Sequence, residues 1–185
     1  MRASQILFLA GISVSWMSGN SWADSVQLGS VKFTASTNVR MFRFSGDVKE
    51  LSSTLIRKNG KLSSFELHIP VKSIKTGMDI RDKHTQERIF TAADGSLPDI
   101  SYVATQAECN AGASASEQNC AVTGDLTFRG VKNPFPLKIS IQDGSLVSGT
   151  TTIDVLQFGV KPEVLQYSEI KVDNLVRVDF EVKIQ

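Results

Sequence analysis

The chain has little of what catalysis or metal binding usually requires. It contains only two histidines and two cysteines among its 185 residues, so a zinc site built on the cysteine pair would need both histidines as its other ligands. His68 and His84 lie in different predicted elements, and neither has a serine or cysteine nucleophile motif nearby. A glycine-rich phosphate-binding loop is also missing. We therefore expect no enzyme activity, no metal and no cofactor.

Excess positive charge is absent as well. The sequence has 20 Lys and Arg against 19 Asp and Glu, and the basic residues are interleaved with acidic ones along most of the chain. A nucleic-acid-binding surface needs a basic excess or a basic stripe to neutralise phosphates. We therefore exclude a nucleic-acid partner.

Long apolar runs are confined to the N-terminus. Arg2 supplies a positive charge, a short apolar region follows, and residues 21–23 place small side chains where a signal peptidase reads. This arrangement predicts a signal peptide over residues 1–23, cleaved after Ala23, with a retained membrane anchor as the less favoured alternative. The remaining residues, 24–185, fit one domain. We expect a periplasmic or secreted protein.

The two cysteines, Cys109 and Cys120, both lie in the part predicted to be exported. An exported protein reaches a compartment in which thiols oxidise. Redox pairs usually have much closer spacing beside a helix start. We therefore expect one structural disulfide that closes a short polar loop over residues 110–119, and a redox or metal pair is the alternative.

Alternation of apolar and polar residues dominates the rest of the chain. The clearest case is the last segment, in which valine, phenylalanine and isoleucine alternate with charged residues from Val176 to Ile184. Asn59-Gly60 predicts a tight hairpin turn between two such segments. The pattern predicts an all-β domain of about ten strands. Other predicted strands are 53–58, 61–71, 100–108, 121–129, 135–141, 146–153 and 169–172, with turns at Asp143-Gly144 and Asp173-Asn174.

Strands with one apolar face can pack as a sandwich or close into a barrel. Closure removes exposed edges, and a barrel of about eight strands can hold one slender ligand. The alternation leaves both architectures open. A single helical segment favours the barrel slightly, because a cavity has a mouth that must be covered.

That helical segment spans residues 73–90. Thr76 and Asp79 are candidate N-caps, and the spacing predicts a helix from Asp79 to Phe90. The last apolar residues of the segment can anchor its far end in the core. It is the only long helical stretch that the pattern predicts.

Three polar residues of this segment, Arg81, Asp82 and His84, have two interpretations. Charges on a short surface helix commonly form caps, salt bridges and a solvated face, and the residues alone favour this interpretation. The alternative is a polar cluster that orients the head group of a ligand at a rim. At helical spacing His84 falls near one face with Glu87 or Arg88.

Three blocks of sequence resemble the signature of the YceI-like family of exported bacterial proteins. The first comprises Val71–Gly77, Arg81–His84, Phe90 and Pro98–Tyr102, the second residues 122–131 with Pro134 and Pro136, and the third residues 152–154 with Phe158-Gly159. The blocks occur in the family's order over most of the chain.

The resemblance implies an extended antiparallel lipocalin-like β-barrel of about eight strands with one short helix, and no catalysis. Its apolar interior would hold a polyisoprenoid, an isoprenoid quinone or a fatty acid derivative. Arg81, Asp82 and His84 match the family's polar motif beside the helix. The expected wall of the cavity consists of apolar residues for which core packing is the alternative: Phe42, Phe44, Phe65, Leu67, Phe90, Phe128, Phe158, Val178 and Phe180.

We therefore predict an exported protein that binds a lipid or isoprenoid ligand for transport, storage or stress protection. We also expect transient contact with a membrane surface during ligand exchange, and a dimer is one option for its assembly. The first alternative is an interaction or stress protein with a side-chain-filled barrel. A less favoured alternative is an enzyme that acts on a small amphiphile through Arg81, Asp82 and His84.

Overall fold

The computed structural model describes residues 23–26, 28–58, 61–114 and 116–183, which form thirteen strands. The strands are β1 Ala23–Val26, β2 Leu28–Thr37, β3 Arg43–Val48, β4 Ser52–Lys58, β5 Lys61–Ile69, β6 Ile74–Lys75, β7 Ile100–Ala111, β8 Glu117–Phe128, β9 Val131–Pro134, β10 Leu137–Gln142, β11 Leu146–Asp154, β12 Gln166–Tyr167 and β13 Ile170–Lys183. Helix α1 spans Asp79–Thr85 and continues into a π-helical turn, Gln86–Phe90. Short 3₁₀ turns lie at Val71–Ser73, Val155–Phe158 and Pro162–Leu165.

The antiparallel sheet curls round on itself and closes. Its ladder runs from β4 through β5, β7, β8, β10, β11 and β13 to β2. Strands β1 and β2 are separated only by residue 27, and they pair with β4 and β3 in one continuous register, with Val26 opposite Ser53 and Lys32 opposite Asp47. Strands β1 and β2 together therefore serve as one long strand of the barrel, and β3 and β4 together serve as the next. The expected all-β barrel of about eight strands with one short helix is confirmed.

The predicted turn at Asp173-Asn174 is wrong, because β13 continues through it. The register of β13 against β2 shifts between Val172 and Val176, which marks an irregularity of the β-bulge kind. The Asn174 side chain donates a hydrogen bond to the Asp154 carboxylate at 2.8 Å. Polar residues that suggest a turn therefore bend a strand here.

Of the two other predicted turns, one is present and the other lies outside the described residues. Asp143 and Gly144 both have positive φ, 49° and 65°, and they connect β10 to β11 as expected. Asn59-Gly60 lies outside the described residues, but β4 and β5 pair as a hairpin on either side of it. The signal peptide predicted over residues 1–23 also lies outside the described residues, except for Ala23.

The disulfide between Cys109 and Cys120 is present, and the two residues lie directly opposite each other on β7 and β8. The loop expected over residues 110–119 is shorter than predicted, because β7 continues to Ala111 and β8 begins at Glu117. The disulfide therefore joins the strands of a long hairpin near its tip.

Replacing both cysteines with alanine is expected to lower the free energy of unfolding by about 3 kcal/mol, since the bond restricts the unfolded chain. Urea denaturation measures this change. Wild-type protein with its disulfide reduced should show a similar loss. An unchanged denaturation midpoint in both samples would contradict the prediction.

The interior of the barrel is divided along its length. On β10, Leu137 lines a cavity, whereas Ile139 and Ile141 are packed in the core. On β13, Phe180 lines the cavity, whereas Val182 is fully packed. The barrel is therefore filled by side chains at one end and hollow at the other. Within the described ranges, no helix is long and apolar enough to cross a membrane.

Candidate functional site

The hollow end of the barrel encloses a cavity of about 490 Å³. This volume falls in the range of small-molecule sites, about 300–1,000 Å³. Helix α1 and its π-helical turn cover one side of the opening, and β12 with the start of β13 forms another. The wall is mostly apolar, and its charged side chains, Arg81, Arg88 and Asp173, lie near this opening. An elongated apolar molecule with one polar end fits such a space.

Most of the expected wall residues line this cavity: Phe44, Phe65, Leu67, Phe90, Phe128, Val178 and Phe180. Their inward direction follows from the period-two alternation of the strands and from the anchoring of the helical segment. Their role in binding stays a prediction.

Phe42 and Phe158 do not line the cavity. Phe42 precedes β3, so the alternation of that strand does not set its direction, and its ring lies edge-on to Phe44 with 5.1 Å between centroids. Phe158 is fully buried in a 3₁₀ turn behind the wall, where its ring packs 5.6 Å from that of Phe128. Phe42 therefore belongs to the rim and Phe158 to the core.

Aromatic rings laid over glycines form the floor of the cavity. A Cβ atom on Gly149 would lie 2.5 Å from Cζ of Phe180, and one on Gly124 would lie 2.7 Å from the Tyr102 hydroxyl. Each ring therefore occupies space that only glycine leaves free. Phe33 covers Gly46 in the same way. The packed layer of the barrel begins beneath the Phe180 ring, where Val147 and Val182 are fully buried.

Tyr102 brings a polar group to the wall, but this group is already satisfied. Its hydroxyl donates a hydrogen bond to the Phe135 carbonyl at 3.1 Å. Burial, with a smaller contribution from the negative charge of Asp125, raises the pKa of Tyr102 to about 12. The phenol therefore stays neutral, and this part of the wall remains uncharged.

Helix α1 begins without a side-chain cap, so the predicted caps at Thr76 and Asp79 are wrong. Met78 is the N-cap residue, and Asp79 is already helical. Thr76 instead donates two hydrogen bonds to Oδ1 of Asp82, from its amide at 2.7 Å and from its hydroxyl at 2.5 Å. Lys75 Nζ lies 3.8 Å from the other carboxylate oxygen. Asp82 therefore fastens α1 to the end of β6.

Asp82 is buried, and it does not line the cavity. Burial opposes its ionisation, but the hydrogen bonds from Thr76 and the charges of Lys75 and Arg81 together lower the pKa of Asp82 below its usual value of 3.8. The hydrogen bonds and the ion pair of Asp82 agree with a structural role at the helix rather than with contact to a ligand head group.

Replacing Asp82 with alanine is expected to lower the free energy of unfolding by about 2 kcal/mol at neutral pH, because charged hydrogen bonds to Thr76 are lost. The lowered pKa means that this stabilisation is fully present above the unfolded value of 3.8 and is lost as pH falls through the folded pKa. Denaturation at several pH values measures the difference between variant and wild type. Asp79→Ala, at an exposed acid of the same turn, should cost less than about 1 kcal/mol. Equal losses in the two variants would contradict this role.

Arg81 both supports the helix and lines the cavity. Its guanidinium donates a hydrogen bond to the Thr76 carbonyl and lies 5.7 Å from the centroid of the Phe44 ring. Its Nε atom is buried and has no hydrogen-bond partner within the described part of the chain. Arg81 therefore keeps one unused donor at the wall.

His84 and Arg88 line the opening on the same side as Arg81. Of the two residues that helical spacing places beside His84, Arg88 faces the cavity, whereas Glu87 lies 3.9 Å from Lys83 in an ion pair. The ring of Phe90 packs 5.5 Å from that of Phe128 and anchors the end of the helical segment. Among the described residues, no group of three or more His, Cys, Asp or Glu side chains could hold a metal ion.

No sequence pattern indicated the part of the opening that β12 and the start of β13 form. Tyr167 and Asp173 line the cavity there, and Tyr167 is placed by the two-residue strand β12, which pairs with the beginning of β13. A strand this short carries no alternation. The sequence signal that could have found it is the position of Tyr167, two residues before the predicted strand over residues 169–172.

A sequence model of a protein family, described as the YceI-like domain, matches residues 22–184. The chain belongs to the YceI-like family. The resemblance of the three sequence blocks is thereby confirmed. No curated protein matches this YceI-like sequence.

Solved structures share the fold of this YceI-like chain at low sequence identity. BcnA of Burkholderia cenocepacia is 20% identical, with a TM-score of 0.65 over 83% of this chain and 94% of that one. A polyisoprenoid-binding domain from Saccharophagus degradans, implicated in plant cell wall breakdown, is 16% identical, with a TM-score of 0.68 over 88% and 97%. The YceI protein of Campylobacter jejuni is 18% identical, with a TM-score of 0.56 over 80% and 89%. The lipocalin-like fold is therefore shown.

Proposed function

We propose that this protein is an exported carrier that holds one long-chain amphiphile in the barrel. The ligand class is a polyisoprenoid, an isoprenoid quinone or a fatty acid derivative. The observation that carries the proposal is the cavity of about 490 Å³, whose wall is mostly apolar between the floor and the opening. Such a wall favours binding of an apolar chain, because the free energy falls when apolar surface moves from water into an apolar cavity.

The arrangement of the wall gives the ligand a direction. The apolar chain extends toward the floor at Phe180, and the polar end lies at the opening beside Arg81, His84 and Arg88. Arg88 is exposed and makes no hydrogen bond or ion pair within the described ranges, so it can pair with an acidic or polar head group. The polyisoprenoid-binding domain that shares this fold supports the same ligand class.

Catalysis by Arg81, Asp82 and His84 is less well supported. Asp82 is directed to Thr76 and Lys75 rather than to the cavity, so these three residues do not converge on one point. A general acid or base must lie within hydrogen-bond reach of its substrate. The hollow interior also favours a carrier over an interaction protein with a filled barrel.

Mass spectrometry of organic extracts tests the proposal on protein purified without detergent from the envelope of its own host. The expected result is one class of amphiphile at about one molecule per chain. Intact mass should also show an N-terminus at Asp24, as export and cleavage after Ala23 predict. Extracts with no lipid would refute the carrier, whereas a retained leader would refute only the predicted cleavage.

A further inference from the structure

The opening of the cavity has an apolar rim that is exposed to solvent. The loop between β2 and β3 leaves 96% of Met41 and 43% of Phe42 exposed, and Val39 is exposed beside them. On two other elements around the opening, Ile80 of α1 is 64% exposed and Tyr167 of β12 is 63% exposed. Contiguous exposed apolar surface on a folded protein usually marks an interaction site. We call these five residues the mouth rim.

The loop that carries Met41 is held in place. The Thr37 hydroxyl accepts a hydrogen bond from the Val39 amide and donates to the Phe42 carbonyl at 2.9 Å. The Asn38 side chain accepts from the Lys171 amide at 2.8 Å and fastens the loop to β13. Met41 has a φ of 69°, a conformation that costs energy for a residue with a side chain. These contacts therefore hold the backbone of the loop in a conformation that leaves the Met41 side chain exposed to solvent.

The mouth rim is continuous with the cavity. Phe42 packs on Phe44, and Phe44 lines the cavity together with Ile80 and Tyr167. Two residues of the rim are therefore at once exposed and part of the wall. An apolar chain leaving the cavity would pass directly between them.

Charges at the rim distinguish the possible partners. Arg40 and Arg43 are exposed in and beside the β2–β3 loop, and residues 38–43 include no acid. The acidic side chains at this end include Asp79, Glu87, Glu169 and Asp173, and they belong to the other elements around the opening. Exposed apolar side chains flanked by arginines favour binding to an anionic lipid surface. The apolar side chains can enter the lipid, and the arginines are attracted to the anionic head groups.

We propose that the mouth rim docks on the surface of an anionic phospholipid bilayer. Met41, Phe42 and Val39 insert at the boundary between head groups and acyl chains, and Arg40 and Arg43 contact lipid phosphates. The opening then faces the bilayer, so an amphiphile can move between bilayer and cavity without crossing water. This exchange rests on the proposed carrier function, whereas the docking itself can be measured without any ligand.

Sedimentation with vesicles of phosphatidylethanolamine and phosphatidylglycerol tests the docking. The protein is purified after processing by its host, and its intact mass establishes that no leader remains. The Met41→Ser variant should bind these vesicles about tenfold more weakly than wild type, since it loses a buried methionine. Arg40→Glu should weaken binding by about fivefold or more. Val103→Ser, at a 37% exposed valine on β7 outside the cavity, should bind like wild type.

Three results would overturn the docking proposal. They are no binding of wild type to these vesicles, equal loss in Met41→Ser and Val103→Ser, and a Met41→Ser variant that loses self-association rather than vesicle binding. The last result would identify the mouth rim as a contact between two copies of the chain. If vesicles bind as expected but envelope-purified protein contains no amphiphile, the docking stands and the carrier function fails.

Discussion

A Val178→Trp variant is expected to lose its bound amphiphile, with at least about a tenfold fall in ligand per chain. Val178 lies on β13 two residues before Phe180, which forms the floor, so both side chains face the same side of the strand. The Val178 side chain lines the cavity. A tryptophan there would occupy space that the apolar chain needs. Mass spectrometry of organic extracts measures the change.

The same variant should remain folded. Inserting a larger side chain costs about 1–3 kcal/mol in a tightly packed core, but at position 178 the added ring extends into an existing cavity. Val103→Trp, on the outer face of β7, is the matched control, and it should keep its ligand. Full ligand occupancy in Val178→Trp would show that the amphiphile binds elsewhere.

A Phe180→Ala variant is expected to bind longer chains and to be less stable by about 3 kcal/mol. The Phe180 ring closes the floor over Gly149, and fully packed Val147 and Val182 lie beyond it. Removing the ring deepens the cavity toward this layer. Urea denaturation measures the stability, and the masses of extracted ligands give the chain lengths.

Phe42→Ala is the control for this change, because Phe42 is a partly exposed ring at the rim. It should cost less than about 1 kcal/mol, as surface substitutions usually do, and leave chain length unaltered. An unchanged distribution of chain lengths in Phe180→Ala, despite lower stability, would show that Phe180 does not limit the ligand.

Much of this architecture could be predicted from residue alternation. Phe65 and Leu67 lie on the cavity side of β5, and Val178 and Phe180 do so on β13, as their spacing requires. Alternation predicts these directions because a regular strand turns successive side chains to opposite faces. Closure of the barrel is a different matter. It depends on the pairing of β2 with β13, which no local pattern specifies.

Predictions failed where the backbone leaves its regular period. Phe42 precedes the first residue of β3, and Asp173-Asn174 form an irregular part of β13 rather than a turn. The role of Asp82 depends on Thr76, which lies in the segment before the helix. Tyr167 reaches the opening only because β12 pairs with β13. These placements depend on contacts between elements, so the residues alone could not supply them.

Native mass spectrometry of envelope-purified protein tests the central claim most directly, namely that the hollow end of the barrel holds one amphiphile. The wild-type chain should carry a single additional mass of a long-chain amphiphile, and this mass should be absent from Val178→Trp. A wild-type chain without added mass, or the same added mass on both proteins, would contradict the account.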